Sequence, residues 1–236
     1  MIKRIYFKQL DNIEWANRQA TSELPLMEQI IEEAFEANAP EYEVYFDNEL
    51  ECPRCFRTVR PQIIQLSTDP NFYQQVPYQF FHELCHLMIG EGTPGQFMWF
   101  EESICALASI YFMSYYEIKS GFCMSKYVRN ECSEMERFET KDLFDSNSPI
   151  SKFLSDREYD RPKNKYIAMK LLDVVKEYGS DFWKFVSTLS ECSSCFTFNE
   201  VLEKMENHYR IKYRLEEKNE LISEKIKAAI INAFND

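Results

Sequence analysis

The chain is poor in histidine and glycine, and it has no long apolar run. Among its 236 residues there are three histidines and five glycines. The longest stretch without a charged residue, 103–116, is shorter than the about 20 apolar residues that cross a bilayer, so we expect a buried helix there and no membrane partner. Residues 1–18 lack the apolar segment of a secretory signal, which favours a cytoplasmic protein.

Basic residues are also in the minority. The chain has 27 lysines and arginines against 39 aspartates and glutamates, which gives a formal net charge of −12 at pH 7. Because this balance repels a phosphate backbone, we expect no nucleic-acid partner. A solvated acidic surface that aids solubility is the simplest interpretation of the charge. The hydrophobic content of 45% is ample for a folded core.

Two of the three histidines lie in the segment His82-Glu83-Leu84-Cys85-His86. Side chains four residues apart share one helix face, so both imidazoles can reach one metal ion at about 2 Å. Glu83 lies about 100° further round the helix, where it can accept a proton from a water molecule on the metal. A bound zinc ion would lower the pKa of that water. The segment therefore predicts metal-assisted hydrolysis, with His82 and His86 as metal ligands and Glu83 as the catalytic general base.

Local signals predict a helix for this segment and a second helix after it. Pro77 suits a first helical turn, and Gly90 ends the apolar pattern. Three of the five glycines lie in residues 90–95, which predicts a sharp loop that returns the chain towards the metal. The second helix is predicted from about Met98 to Lys119 and carries two adjacent glutamates near its start.

The 82–86 segment, the glycine-bearing loop and the sequence Trp99-Phe100-Glu101-Glu102-Ser103 together resemble the gluzincin branch of the zincin metallopeptidases, such as thermolysin-like enzymes and gluzincin aminopeptidases. In that family a glutamate on the second helix is the third zinc ligand. The resemblance gives this position to Glu102. Glu101 stands where the family has asparagine, so it remains the fallback ligand. The resemblance implies one catalytic Zn²⁺ and a peptide or protein substrate.

Residue size favours Glu102 over Glu101 in that choice. The helix face of Glu102 continues through Ala106 and Ser109, whose small side chains let the helix approach its neighbour closely. The helix face of Glu101 continues through Cys105 and the much larger Phe112. The choice between the two glutamates nevertheless stays open at the level of sequence.

We predict an α+β, zincin-like fold with a small mixed sheet and a helical C-terminal lobe. A zincin-like N-terminal lobe spans 1–118, an irregular linker or cover spans 119–165, and the helical lobe spans 166–236, together forming one catalytic unit. Strands are predicted at Ile2–Phe7, Glu41–Phe46 and Pro61–Ser67, and helices at Leu26–Phe35, Tyr166–Tyr178, Asp181–Leu189, Phe198–Tyr209 and Glu216–Phe234.

The segment Gln62–Leu66 has two interpretations. The zincin resemblance implies that it is the edge strand, which would pair with the backbone of an extended substrate. An ordinary strand inside the sheet is equally compatible with the residues.

Eight cysteines without a secretory signal favour reduced thiols or metal ligands over disulfides. Cys52 and Cys55 have the spacing of a zinc knuckle, and so do Cys192 and Cys195. The four together could bind a second, structural zinc ion. The alternatives are a redox pair and ordinary buried thiols, and the wide separation of the two pairs favours ordinary thiols.

The sequence thus predicts a zinc-dependent peptidase. The competing hypothesis is a catalytically weak zincin fold that serves as a protein-binding or regulatory module. Hydrolysis of a non-peptide amide is a third interpretation. A peptidase also needs a group that stabilises the oxyanion; Tyr159, Tyr166 and His208 are candidates, and the sequence assigns the role to none of them.

Overall fold

Chain segments far apart in sequence build each of two compact units. A computed structural model describes residues 1–8, 13–155, 160–213 and 217–235. The first unit comprises Met1–Glu91 and Ala108–Glu131, and the second comprises Gly92–Leu107 and Cys132–Asp236. The boundaries of the N-terminal and C-terminal lobes, placed near residues 118 and 166, stay a prediction.

A four-stranded sheet lies in the first unit. Its strands are β1 (Ile2–Phe7), β2 (Tyr42–Phe46), β3 (Arg54–Phe56) and β4 (Gln62–Leu66), in the order β1-β2-β4-β3. Strands β1, β2 and β4 are parallel, whereas β3 runs antiparallel to β4. Every second residue of β2 and β4 is buried, as expected for strands with one face on a core.

Strand β4 is an interior strand. It pairs along its whole length with β2, and its residues Ile63, Ile64 and Gln65 pair with β3 on the other side. The edge-strand interpretation of Gln62–Leu66 is therefore wrong, and the ordinary-strand interpretation is confirmed. The physical reason is that the chain just before β4 folds back on it, which places the short β3 at the edge.

Three helices of the first unit follow the apolar patterns of the sequence. They are α1 (Ile13–Phe35), α2 (Gln75–Ile89) and α3 (Met98–Ser120), the last of which begins among the residues of the second unit. Helix α1 buries Met27, Ile30, Ile31 and Phe35, which all lie in the predicted helix Leu26–Phe35. The helix begins earlier than predicted, at Ile13. A shorter helix, α4, covers Ser125–Cys132.

The second unit is helical. It contains α5 (Pro149–Ser155), α6 (Arg161–Tyr178), α7 (Ser180–Val186), α8 (Phe198–Lys212) and α9 (Glu217–Asn235), with 3-10 turns at Gly95–Phe97, Thr140–Phe144 and Leu189–Glu191. An aromatic cluster lies around Phe198, whose ring centroid is 5.0 Å from that of Trp99 and 4.9 Å from that of Phe100. This packing attaches the first turn of α3 to α8.

The α+β class and the small mixed sheet are confirmed by these elements, which include nine α-helices in the described residues. The segment 119–165 is less irregular than predicted, because it contains α4, α5 and a 3-10 turn. None of the helices in the described part of the chain combines the length and the apolar composition needed to cross a bilayer.

Candidate metal centre

Helix α2 carries the two histidines, and local residues fix both of its ends. Before it, the side chain of Asp69 accepts a hydrogen bond from the backbone N–H of Asn71 at 2.8 Å and forms the turn that leads in. After it, Gly90 adopts φ 91° and donates its N–H to the carbonyl of His86 at 3.0 Å. The guanidinium of Arg57 donates to the Gly90 carbonyl, so β3 and the end of α2 are connected.

The imidazoles of His82 and His86 lie side by side on one face of α2. Their ring centroids are 5.1 Å apart and their planes are inclined by 70°. His86 is buried, His82 is half-buried, and Glu83 is only 3% exposed. The predicted one-face arrangement of the histidines is therefore present in the folded chain.

Helix α3 packs closely against α2 through small and aromatic residues. The hydroxyl of Ser109 donates to the carbonyl of Tyr78 at 2.8 Å, and the rings of Phe81 and Phe112 are 5.5 Å apart. Ser109 is fully buried, as its small size allows. Glu102 lies two helical turns before Ser109, about 10 Å along the axis, so these contacts also direct the start of α3.

His82, His86 and Glu102 form a cluster that could hold a metal ion. One ligand atom from each lies within 4.8 Å of the others. A single point therefore exists within about 2.8 Å of all three atoms, and bond lengths of about 2.0–2.2 Å need inward shifts of under about 1 Å. Glu101, the fallback ligand, is fully buried and does not belong to this cluster.

The donor set limits the kind of metal. Two imidazole nitrogens and one carboxylate oxygen suit zinc, and the same set with open positions is also used for ferrous iron. Both histidines must be neutral to act as ligands. The three residues are therefore compatible with a divalent transition metal.

The four knuckle cysteines lie in different surroundings. Cys52 is exposed and Cys55 half-buried in the first unit, whereas Cys192 and Cys195 are buried in the second; all four are free thiols. Burial raises the pKa of the Cys192 thiol to about 12, so it is protonated at neutral pH. None of the four belongs to the three-ligand cluster, and a joint zinc site stays a prediction.

The oxyanion candidates remain unassigned. Tyr159 lies outside the described residues. Tyr166 is on α6, where its ring is 5.5 Å from that of Phe138, and His208 is half-buried on α8.

Sequence reasoning did not identify Arg57 as a partner of the α2 terminus. A hydrogen bond to a backbone carbonyl leaves no residue pattern that could have indicated it.

Comparisons with models of protein families, with curated proteins and with solved structures found no match to this chain. The zincin resemblance thus stands on residues 82–106 alone. The geometry of the His82, His86 and Glu102 cluster is the independent observation beside it.

Proposed function

We propose that this chain is a zinc-dependent hydrolase of peptide bonds. The observation that carries the proposal is the convergence of His82, His86 and Glu102 within 4.8 Å, with Glu83 next to the first ligand in sequence. A chance occurrence of the 82–86 motif would not explain why a glutamate from a second helix lies beside its two histidines.

Each residue of the centre has a distinct role in this proposal. His82, His86 and Glu102 hold the metal. A zinc ion held there would supply Lewis acidity towards the substrate carbonyl and towards water. Three protein ligands are the number found in catalytic rather than structural zinc sites, because the fourth position then remains available to water or substrate.

Glu83 is the general base. It follows His82 directly, so its side chain leaves the helix about 100° away from that of His82 and would be available to a water molecule on the metal instead of to the metal itself. Its carboxylate accepts a proton from the attacking water and returns that proton to the leaving amine. Burial of Glu83 keeps this proton transfer away from bulk solvent.

Strand β3 supports a peptide as the substrate. It is at the edge of the sheet, its residues Arg54 and Phe56 are exposed, and it contacts α2 directly. An extended peptide can add to such an edge through main-chain hydrogen bonds. The substrate strand expected from the resemblance is therefore β3 in our proposal, one strand further out than β4.

Metal analysis and cleavage of a mixed peptide library test the proposal. We expect about one zinc per chain, cleavage that a chelator abolishes and zinc restores, and a fall in cleavage of about 10²- to 10⁴-fold in Glu83→Gln with zinc still bound. Glu91→Gln, an exposed glutamate beyond the end of α2, is the matched control and should cleave normally.

Two results would contradict the proposal. Undiminished cleavage by Glu83→Gln would remove the general-base role. Stoichiometric zinc without cleavage of any peptide would instead favour the protein-binding or regulatory module.

A further inference from the structure

The loop between the two ligand-bearing helices is attached to a turn that contains the second cysteine pair. We infer that two contacts, from Gly92 to Ser190 and from Gln96 to Cys195, place Glu102 for metal binding. We call these two contacts the loop anchor. Gly92 and Gln96 are then positioning residues, and this inference rests on the proposed metal site.

The first contact requires glycine. Gly92 has φ 116°, a conformation that side chains disfavour, and a Cβ added there would lie 2.2 Å from the carbonyl oxygen of Ser190. The obstructing atom belongs to the backbone, so it cannot rotate away as a side chain would. The loop therefore approaches the turn more closely than any other residue type permits.

The second contact lies just before α3 begins. The side-chain amide of Gln96 donates to the carbonyl of Cys195 at 2.9 Å. The carbonyl of Gln96 in turn accepts a hydrogen bond from the hydroxyl of Ser155 at 3.2 Å. Gln96 precedes Glu102 by six residues, so a shift at Gln96 reaches Glu102 through fewer than two helical turns.

The turn itself is held by its cysteines. The Cys192 thiol donates to the carbonyls of Thr188 at 3.8 Å and Val201 at 3.7 Å, and the N–H of Cys195 donates to the carbonyl of Cys192 at 3.1 Å. Cys192 is fully buried. In this arrangement the Cys192 thiol and a backbone hydrogen bond hold a turn whose backbone carbonyls meet the loop.

The anchor affects metal affinity through the position of Glu102. A ligand that occupies its binding position in only a fraction of the molecules weakens the observed affinity by that fraction. Releasing the loop lowers the fraction of molecules with Glu102 in place. His82 and His86 are unaffected by this change because their spacing is set within α2.

Zinc dissociation constants, measured by chelator competition, test the inference. Gln96→Ala should weaken binding about fivefold, the value of one hydrogen bond, and Gly92→Ala should weaken it further. Gly95→Ala is the matched control: its Cβ would meet nothing within 4 Å, so binding should stay at the wild-type value. Circular dichroism and thermal unfolding establish that each variant is folded, and Gln96→Ala carries the test if Gly92→Ala does not fold.

A double-mutant cycle with Glu102→Ala separates positioning from general stability. If the anchor acts through Glu102, Gln96→Ala should have no further effect on the residual affinity of Glu102→Ala. An undiminished effect in that background would overturn the inference. Wild-type affinity in both loop variants, with cleavage intact, would overturn the anchor and leave the proposed function standing. A wild-type chain that binds no zinc would overturn both.

Discussion

Helices α2 and α3 contribute to the candidate metal centre in different ways. Helix α2 provides His82 and His86, whose separation is fixed by the repeat of a single helix. Helix α3 provides Glu102, whose distance from the histidines depends on how the helix is held. One half of the candidate centre is therefore specified by local sequence and the other half by tertiary contacts.

The contacts of each helix reflect this division. The ends of α2 are set mainly by the Asp69 turn and by Gly90, both close to the helix in sequence, although Arg57 also donates to the Gly90 carbonyl. The position of α3 depends on residues distant from it in sequence. The Tyr78 carbonyl accepts a hydrogen bond from Ser109, and the ring of Phe198 packs on that of Trp99. Substitutions of His82 or His86 should therefore act directly on metal binding. On α3, substitution of Glu102 should also act directly, whereas substitutions elsewhere on the helix should act through the position of Glu102.

The largest effect should come from a histidine of α2. His86→Ala removes a direct ligand and should weaken zinc binding by more than the about 100-fold that loss of an outer partner costs. Equilibrium dialysis with zinc measures this. His208→Ala is the control, and a similar loss there would show that the metal is bound elsewhere.

The two adjacent glutamates of α3 provide the next test. Glu102→Gln should weaken zinc binding at least about tenfold, because a neutral amide is a poorer ligand than a carboxylate. Glu101→Gln should leave zinc affinity near the wild-type value, although its complete burial makes a change in thermal stability expected. The reverse order, measured by chelator competition, would make Glu101 the ligand.

The smallest effect should come from the contact between the two helices. Ser109→Val removes the hydrogen bond to Tyr78 and overfills a fully buried position, which should lower the free energy of unfolding by about 1–3 kcal/mol. Zinc affinity should fall slightly as α3 moves outwards. Ser114→Val, at an exposed position of the same helix, is the control for both measurements.

Sequence reasoning predicted the elements whose signals are local. The apolar face and Gly90 predicted α2. A high content of β-branched and aromatic residues predicted β1 and β2, and the strand predicted at Pro61–Ser67 is β4; all three agree to within one residue at each end. Strand β3 was missed because three residues are too few to show a period. The short helices α4 and α5 were missed for the same reason, since each offers at most about two turns of pattern.

The candidate site divides in the same way. The spacing of His82 and His86 follows from one helix and could be read from the chain. The membership of Glu102 came from a resemblance and a preference for small neighbours, because no local rule fixes the distance between two helices. The loop anchor had no sequence signal beyond Gly92, since both of its contacts are made to backbone carbonyls.

The adjacent rings of His82 and His86 can also serve as spectroscopic reporters of metal binding. Imidazoles labelled with ¹⁵N would produce nuclear magnetic resonance signals from three residues, because the chain has only three histidines. Zinc should move the signals of the two rings that lie 5.1 Å apart. The signal of His208 should stay in place and serve as an internal reference, so each ligand could be followed by its own resonance during a titration.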